Sequence, residues 1–340
     1  MYTDTIQQPM QKRIQKQNFR VQLAALAIGL LLLSAKFFAW WLTNSNAILT
    51  DALESIINVV AGAFALYSLI LSAKPKDSNH PYGHGKVEFI AVGVEGALIC
   101  LAGAVIIGKG VYNLFYPQNI HSVDVGMVLV ATAGLVNFGL STWLEKTGKR
   151  NQSMVLTADG KHLRADAWSS LGLLVGLGLF YFTQITWIDN ATAIIFGGII
   201  LFTGYKLLRT SVAGIMDEAD YQLISERVDQ LEQVKTENWI DLHNFRVIKY
   251  GGRLHIDCHL SVPWYFTVEN GHQEVKRFED EVKKLCKMPV ELFVHADPCR
   301  PPGSCSICEK KDCKERKSPF IKRVDWDLES AMGTDQHGAY

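Results

Sequence analysis

The run of long apolar segments in the first 216 residues constrains this chain more than any other feature. These segments lie at about 19–43, 47–73, 87–115, 123–147, 154–183 and 187–212. Each is long enough to cross a hydrocarbon core of ~30 Å at ~1.5 Å per helical residue. A single apolar run often forms a buried core helix, but several of these exceed about 20 residues and they follow one another with short polar breaks. The sequence therefore predicts an α-helical membrane protein with six transmembrane helices, occupying 19–216 after a cytosolic N-terminal arm at 1–18.

Among the connections between the predicted spans, only alternate ones contain basic residues. The N-terminal arm, the second-to-third and fourth-to-fifth connections and the end of the sixth span contain Lys or Arg, whereas the turns at 43–46, 117–124 and 184–190 contain none. Because short loops rich in Lys and Arg stay in the cytoplasm, both termini are predicted to be cytoplasmic. The compact loops and the absence of organelle-targeting features favour a bacterial cytoplasmic membrane. The formal net charge of zero gives no indication of a nucleic-acid partner.

Polar side chains interrupt the second and fifth segments at steps of three and four residues. They are Asp51, Glu54 and Asn58 in TDALESIIN, and Asp159, His162 and Asp166 in ADGKHLRAD. These steps keep each set on one helix face. An ionisable group at membrane depth costs a few kcal/mol or more unless it faces a partner or a watery cavity. The two faces are therefore expected to meet, either as hydrogen bonds that hold a bundle together or as a nitrogen and oxygen cage for a divalent cation.

Protons compete with a cation for the lone pairs of His162 and the carboxylates. Metal movement through such a cage would therefore be coupled to proton movement. Asp51 and Asp159 lie one helical turn before the predicted ligands of their helices. They are expected to cap or orient those ligands without binding the metal themselves.

The connection AKPKDSNHPYGHGKVEF places Asp77, His80 and His84 among Pro and Gly turn residues. Two histidines and a carboxylate at this spacing indicate a metal site, and exposed loop histidines without a ligand are the alternative.

The region after residue 217 alternates predicted helices and strands. Helices are predicted at 221–234 and 268–284, and strands at 244–250, 253–262 and 290–295. Gly251 and Gly252 join the first two strands as a hairpin turn. The pattern predicts a small cytosolic α+β domain at 217–298, ferredoxin-like with a three-stranded sheet.

Histidines and carboxylates are concentrated on these strands. His255, Asp257 and His259 alternate along the second strand, so they share one sheet face. Further metal-ligand types are His243, His272, His295 and Asp297.

Four cysteines follow in CRPPGSCSICEKKDC, at Cys299, Cys305, Cys308 and Cys313. In a reducing compartment they are expected to be thiols or ligands rather than disulfides. Four thiols in so short a stretch suit a tetrahedral zinc site, although their spacing matches no standard zinc finger. The remainder of the 299–340 tail is rich in charge and is expected to be disordered.

These motifs together resemble the cation diffusion facilitator family, from about residue 15 to Cys299. The fifth segment carries a HxxxD pair, His162 and Asp166, the string HPYGHGKVE is similar to the family's loop, and VHADP resembles the close of its cytosolic domain. The resemblance implies a transport site of Glu54, Asn58, His162 and Asp166. Glu54 has a longer arm and Asn58 is neutral where a carboxylate is usual, so Mn(II) and Fe(II) stay open beside zinc.

The resemblance also implies a second metal site at Asp77, His80 and His84, and a charged pair between Lys86 and Asp217 that fastens the two domains. It implies a two-metal cluster that stabilises a homodimer through His243, His259, His272, His295 and Asp297.

The expected function is proton-coupled efflux of a divalent transition-metal cation by alternating access. Zinc is the first candidate, as substrate and as structural ligand, with Fe(II), Mn(II), Co(II) and Cd(II) as others. One alternative is a membrane-anchored metal sensor that does not transport. An intramembrane metallohydrolase would need a motif such as HExxH, which the sequence lacks.

Overall fold

The computed structural model describes residues 2–43, 46–116, 124–183, 186–286 and 288–338. The chain divides into two compact units, Met1–Met216 and Asp217–Tyr340. The first unit is helical, and the second combines helices with a sheet.

Six long helices build the first unit. They are α1 (Tyr2–Thr43), α2 (Asn46–Ser72), α3 (Val87–Phe115), α4 (Asp124–Asn151), α5 (Met154–Thr183) and α6 (Thr186–Ile215). Among the described residues, four segments are long and apolar enough to cross a membrane: 11–38, 55–72, 87–115 and 190–215. These belong to α1, α2, α3 and α6. The other two helices carry several charged residues, such as Arg164 and Asp166 in α5, so the six-span topology stays a prediction.

Helices α3 and α6 approach closely at small residues. A Cβ atom added to Gly96 would lie 2.8 Å from the backbone nitrogen of Leu208, and one added to Gly204 would lie 2.7 Å from that of Cys100. Small residues let helix backbones pack at such distances. This contact fixes the part of α3 that carries Glu95, whose side chain is buried.

The second unit has a three-stranded sheet, as the alternating pattern predicts. Its elements are α7 (Tyr221–Gln233), β1 (Asp241–Tyr250), β2 (Arg253–Val262), α8 (Val268–Leu285), β3 (Val290–Pro298), a 3₁₀ turn (Gly303–Ser306) and α9 (Leu328–Met332). The sheet order is β1-β2-β3, with β1 antiparallel and β3 parallel to β2. Gly251 has φ 55° in the β1–β2 turn, a conformation that glycine adopts without strain.

The two faces of the sheet differ in chemistry. Leu254, Ile256 and Leu260 of β2 point into the core, where they pack with Phe278 of α8. Because successive residues of a strand point to opposite faces, the intervening His255, Asp257 and His259 lie on the other face.

Strand β1 contains a bulge that shifts this alternation by one residue. The register changes between His243 and Arg246, and Asn244 has φ 53°. Leu242 lies in the core before the bulge, and Phe245 and Val247 lie there after it. The bulge thus keeps His243 on the polar face without exposing the apolar residues that follow.

The structure corrects the expectation of a disordered tail. Residues 299–338 lie in the second unit, and Trp326 and Ala331 are 2% and 0% exposed in its core. The backbone N–H of Trp326 donates to Glu232 at 3.0 Å, and that of Asn244 donates to the Gly333 carbonyl at 2.6 Å. Two apolar anchors therefore hold a segment whose overall composition is charged.

Candidate metal sites

Helices α2 and α5 meet through the polar residues that the sequence analysis singled out. The Asn58 amide donates from Nδ2 to Asp166 Oδ2 at 2.5 Å, and its Oδ1 lies 3.0 Å from His162 Nε2. We call Asn58, His162 and Asp166 the helix cluster. The side chain of Glu54, the fourth predicted member, lies outside the described residues, as does that of Asp51. The cluster offers an imidazole nitrogen, an amide oxygen and a carboxylate, a donor set that suits a divalent transition metal.

A buried carboxylate on α3 completes the surroundings of His162. Glu95 Oε2 lies 3.3 Å from His162 Nδ1, and the two side chains are 3% and 4% exposed. Glu95 is not among the predicted site residues, although it is an ionisable residue inside an apolar helix, the same signal that identifies Asp159. A carboxylate behind a ligating imidazole fixes the ring's orientation and raises its basicity.

Asp159 is held by α1 rather than by the helix cluster. It is buried and accepts a hydrogen bond from Gln22 Nε2 at 2.6 Å, and Gln22 also donates to the Gly62 carbonyl at 3.3 Å. Arg164, further along α5, pairs with Glu145 of α4 at 3.1 Å. Polar contacts therefore connect α1, α2, α4 and α5 around this region.

The loop between α2 and α3 gathers its three predicted ligands. Asp77, His80 and His84 offer ligand atoms that all lie within 4.8 Å of one another, and we call them the loop cluster. Asp77 lies 3.1 Å from His80 Nδ1 and 3.4 Å from His84 Nε2. Hydrogen bonds from the backbone N–H groups of His80 (2.7 Å) and Asn79 (3.0 Å) fix the carboxylate. The His80 bond holds the pKa of Asp77 below its usual value, so the group is anionic at neutral pH.

Strand register assembles a second set of ligands on the polar face of the sheet. His243 pairs with His259, and His259 pairs with His295, so the three form one row across the strands. His243, His259 and Asp297, which we call the sheet cluster, have ligand atoms within 4.8 Å of one another. Asp297 Oδ2 lies 3.4 Å from His243 Nε2 and 2.8 Å from His259 Nδ1.

Two further predicted ligands lie less close to this set. His295 contacts Asp297 Oδ1 at 3.1 Å, but its side chain is 68% exposed. His272 is an exposed residue of α8 and does not belong to the sheet cluster.

Behind His243 lies an aspartate that the sequence analysis did not select. Asp241 is 1% exposed, and its Oδ2 lies 3.1 Å from His243 Nδ1. It also accepts from the backbone N–H of His337 at 3.0 Å and lies 2.9 Å from His337 Nδ1. Burial alone would raise the pKa of Asp241, but hydrogen bonds from His243 and His337 bring it below the usual value. The resulting anion orients the His243 ring with Nε2 toward Asp297.

The four tail cysteines lie together, and the two residues of the predicted charged pair lie at helix ends. Cys299, Cys305, Cys308 and Cys313 are free thiols that line one small cavity. Lys86 immediately precedes α3, and Asp217 follows α6 with φ 55°. Their pairing stays a prediction.

Comparison with known families matches both units of the chain. Residues 22–216 match the cation efflux transmembrane domain, and residues 216–299 match the cytoplasmic domain of cation efflux proteins, a dimerisation domain. The transmembrane match agrees with the four strongly apolar helices, so the chain is an integral membrane protein.

Curated relatives match over most of their length. An uncharacterised transporter of Synechocystis is 31% identical over 283 residues, which cover 83% of this chain and 91% of the relative. The cation-efflux pump FieF of Pectobacterium carotovorum is 28% identical, covering 81% and 91%, and that of Escherichia coli is 27% identical, covering 82% and 92%. The chain belongs to the cation efflux family of divalent-metal transporters, the cation diffusion facilitators.

Proposed function

We propose that this protein exports a divalent transition-metal cation from the cytoplasm in exchange for protons. Zinc is the first candidate, and Fe(II), Mn(II), Co(II) and Cd(II) are the others. The observation that carries the proposal is the contact of Asn58 on α2 with His162 and Asp166 on α5, inside the domain that matches the family's transmembrane model.

The transport site consists of the helix cluster together with Glu54. The Asn58 amide donates a hydrogen bond to Asp166 and accepts one from His162. A cation between α2 and α5 would replace those bonds by taking the lone pairs of Asn58 Oδ1, the Asp166 carboxylate and His162 Nε2. Nε2 becomes a ligand only after it loses the proton that it donates to Asn58 Oδ1. Only a neutral imidazole and an ionised carboxylate bind metal, so binding releases protons and protonation releases metal.

This competition supports alternating access. The cation binds between α2 and α5 from the cytoplasm, the helices rearrange, and protons from outside displace the cation. The protein acts as a secondary transporter and not as an enzyme. Exchange requires only that the two states differ in their relative affinities for metal and protons.

The topology that serves this function has six transmembrane helices with both termini in the cytoplasm. The alternation of basic and neutral connections supports it. The bacterial relatives support placement in a bacterial cytoplasmic membrane.

The loop and sheet clusters are proposed as resident metal sites, with His295 and His272 as further ligands of the sheet site. The match to a dimerisation domain supports a homodimer. Metal bound to the sheet cluster would signal cytoplasmic metal abundance if it binds the inward-facing and outward-facing states with different affinity.

A metal sensor that does not transport is the competing function, and metal uptake distinguishes the two. Purified protein in proteoliposomes is supplied with zinc, ferrous iron, manganese or cobalt, with and without an imposed pH gradient. A transporter gives gradient-dependent uptake, and the rates rank the metals. Absence of uptake for every metal, with metal still bound to folded protein, would establish the sensor instead.

A further inference from the structure

The four tail cysteines converge although they span fifteen residues of irregular chain. Cys299 follows β3 directly, and Cys305, Cys308 and Cys313 follow in and after the 3₁₀ turn. All four line one small cavity, and Trp264 and Tyr265 from the β2–α8 connection line the same cavity. We call these cysteines the cysteine quartet. The match to the family's cytoplasmic domain ends at residue 299, so Cys305, Cys308 and Cys313 lie beyond it.

Backbone N–H groups point at the sulfur atoms of the quartet. The N–H of Trp264 donates to Cys299 Sγ at 3.4 Å, and that of Lys317 donates to Cys305 Sγ at 3.5 Å. Cys308 accepts from the backbone of Lys310. Burial raises the pKa of Cys299 and Cys308, and these hydrogen bonds oppose that effect because they favour the charged thiolate. The thiolate is the form that ligates metal.

Arg316 braces the loop that carries the CxxC pair. Its guanidinium donates to the carbonyl oxygens of Cys305 and Cys308, each at 2.9 Å, and of Lys310 at 2.8 Å. Arg316 and Lys310 also line the cavity. Four thiolates around a divalent cation leave a net charge of −2, which the Arg316 guanidinium offsets in part. Lys310 pairs with Glu237 at 3.1 Å, and Glu315 also lines the cavity.

We propose that the cysteine quartet binds one resident zinc ion through four thiolates. Thiolates favour soft and borderline metals, and four of them suit the tetrahedral coordination of zinc with Zn–S bonds of ~2.3 Å. The sulfur atoms lie further apart than they would around a tetrahedral zinc ion, because no three of them lie within 4.8 Å of one another. Binding therefore contracts the loop around the ion.

The quartet begins a segment that reaches back across the domain. Downstream of it, Lys235 donates to the Val324 carbonyl at 3.0 Å, and Trp326 enters the core. At the end of the segment, His337 contacts Asp241, which orients His243. A zinc ion in the quartet thus fixes the start of a segment whose end supports the sheet cluster.

Cobalt substitution tests the site in the full-length protein, purified in detergent and stripped of metal. Cobalt bound by thiolates absorbs strongly in the near ultraviolet through sulfur-to-metal charge transfer, whereas the loop and sheet clusters contain no sulfur. Wild-type protein is expected to develop this band at one cobalt per chain and to lose it when zinc is added. Cys308→Ser should weaken the band at least several-fold. Cys286→Ala, which removes a thiol of the same domain outside the quartet, should leave it unchanged.

Thiol protection provides a measurement that depends on no variant. Zinc at one equivalent is expected to slow alkylation of Cys299, Cys305, Cys308 and Cys313 together, as read by peptide mass spectrometry. Zinc removal should speed tryptic cleavage after Lys317, Lys322 and Arg323. The proposal is overturned by a missing charge-transfer band in wild type, by equal alkylation with and without zinc, or by disulfides within the quartet in freshly purified protein.

Discussion

His162 and Glu95 meet inside the helical unit, with 3.3 Å between Nδ1 and Oε2. The opposite ring nitrogen, Nε2, lies 3.0 Å from Asn58 Oδ1. The imidazole is therefore held between α3 on one side and α2 on the other. In the proposed site, Nε2 is the ligand. Glu95 orients the ring and raises its basicity.

Glu95→Gln keeps the size of the side chain but removes its charge. Loss of the outer partner of a ligating histidine typically lowers metal affinity about 10–100-fold. The apparent zinc affinity for transport should therefore decrease by about that factor. Concentration-dependent uptake into proteoliposomes measures it. Glu269→Gln, at an exposed position of α8, is the matched control, and an unchanged affinity in Glu95→Gln would remove Glu95 from the site.

Asn58→Asp adds a negative charge next to Asp166. The amide donor that now satisfies Asp166 at 2.5 Å is lost, so two carboxylates face each other unless a cation or a proton lies between them. Zinc affinity is expected to rise relative to manganese, and transport should depend more steeply on pH. Competition between the two metals in the uptake assay provides the test. If the preference does not change, Asn58 is not a ligand.

Asp241→Asn tests the support of the sheet cluster. The substitution removes an anion that lies against His243 and His337, and loss of such buried partners costs about 1–3 kcal/mol. Because the pKa of Asp241 is lowered on folding, its ionisation stabilises the domain at neutral pH. That contribution is lost as the pH falls through the lowered value, and it should be absent in the variant.

Thermal unfolding of the full chain between neutral and acidic pH, followed by tryptophan fluorescence, measures this difference. Asp335→Asn, at an exposed position of the tail, serves as the control. Equal pH dependence in wild type and Asp241→Asn would contradict the assignment.

Gly96→Ala and Gly108→Ala form a matched pair within α3. The added methyl group at Gly96 would lie 2.8 Å from the Leu208 backbone, whereas the one at Gly108 would meet nothing within 4 Å. Overpacking costs about 1–3 kcal/mol, so only Gly96→Ala should lower the thermal stability of the detergent-solubilised protein. A similar loss of thermal stability in both variants would show that the close α3–α6 packing does not cause it.

Local patterns predicted the strands and helices of the second unit well, because alternation and the Gly251–Gly252 turn are visible within a few residues. The pattern predicts that β1 starts at residue 244, whereas it starts at Asp241, because the bulge at Asn244 breaks the alternation. The packed tail was missed because Trp326 and Ala331 are isolated apolar residues in a charged segment.

The helix cluster, too, could be predicted only in part from the local sequence. The steps of three and four residues indicated which faces of α2 and α5 meet, and the structure brings Asn58, His162 and Asp166 together. Nothing in the local sequence of α3 indicates that Glu95 contacts a residue 67 positions away. Such a partner is defined by helix packing alone.

In the proposed function, a metal ion crosses the protein at the helix cluster in exchange for protons. The most direct measurement is zinc uptake into proteoliposomes under a pH gradient by wild type, Asp166→Ala and the exposed control Asp280→Ala. Wild type and control are expected to show gradient-dependent uptake, and Asp166→Ala is expected to show none despite normal folding and dimer formation. Retained uptake by Asp166→Ala would contradict it.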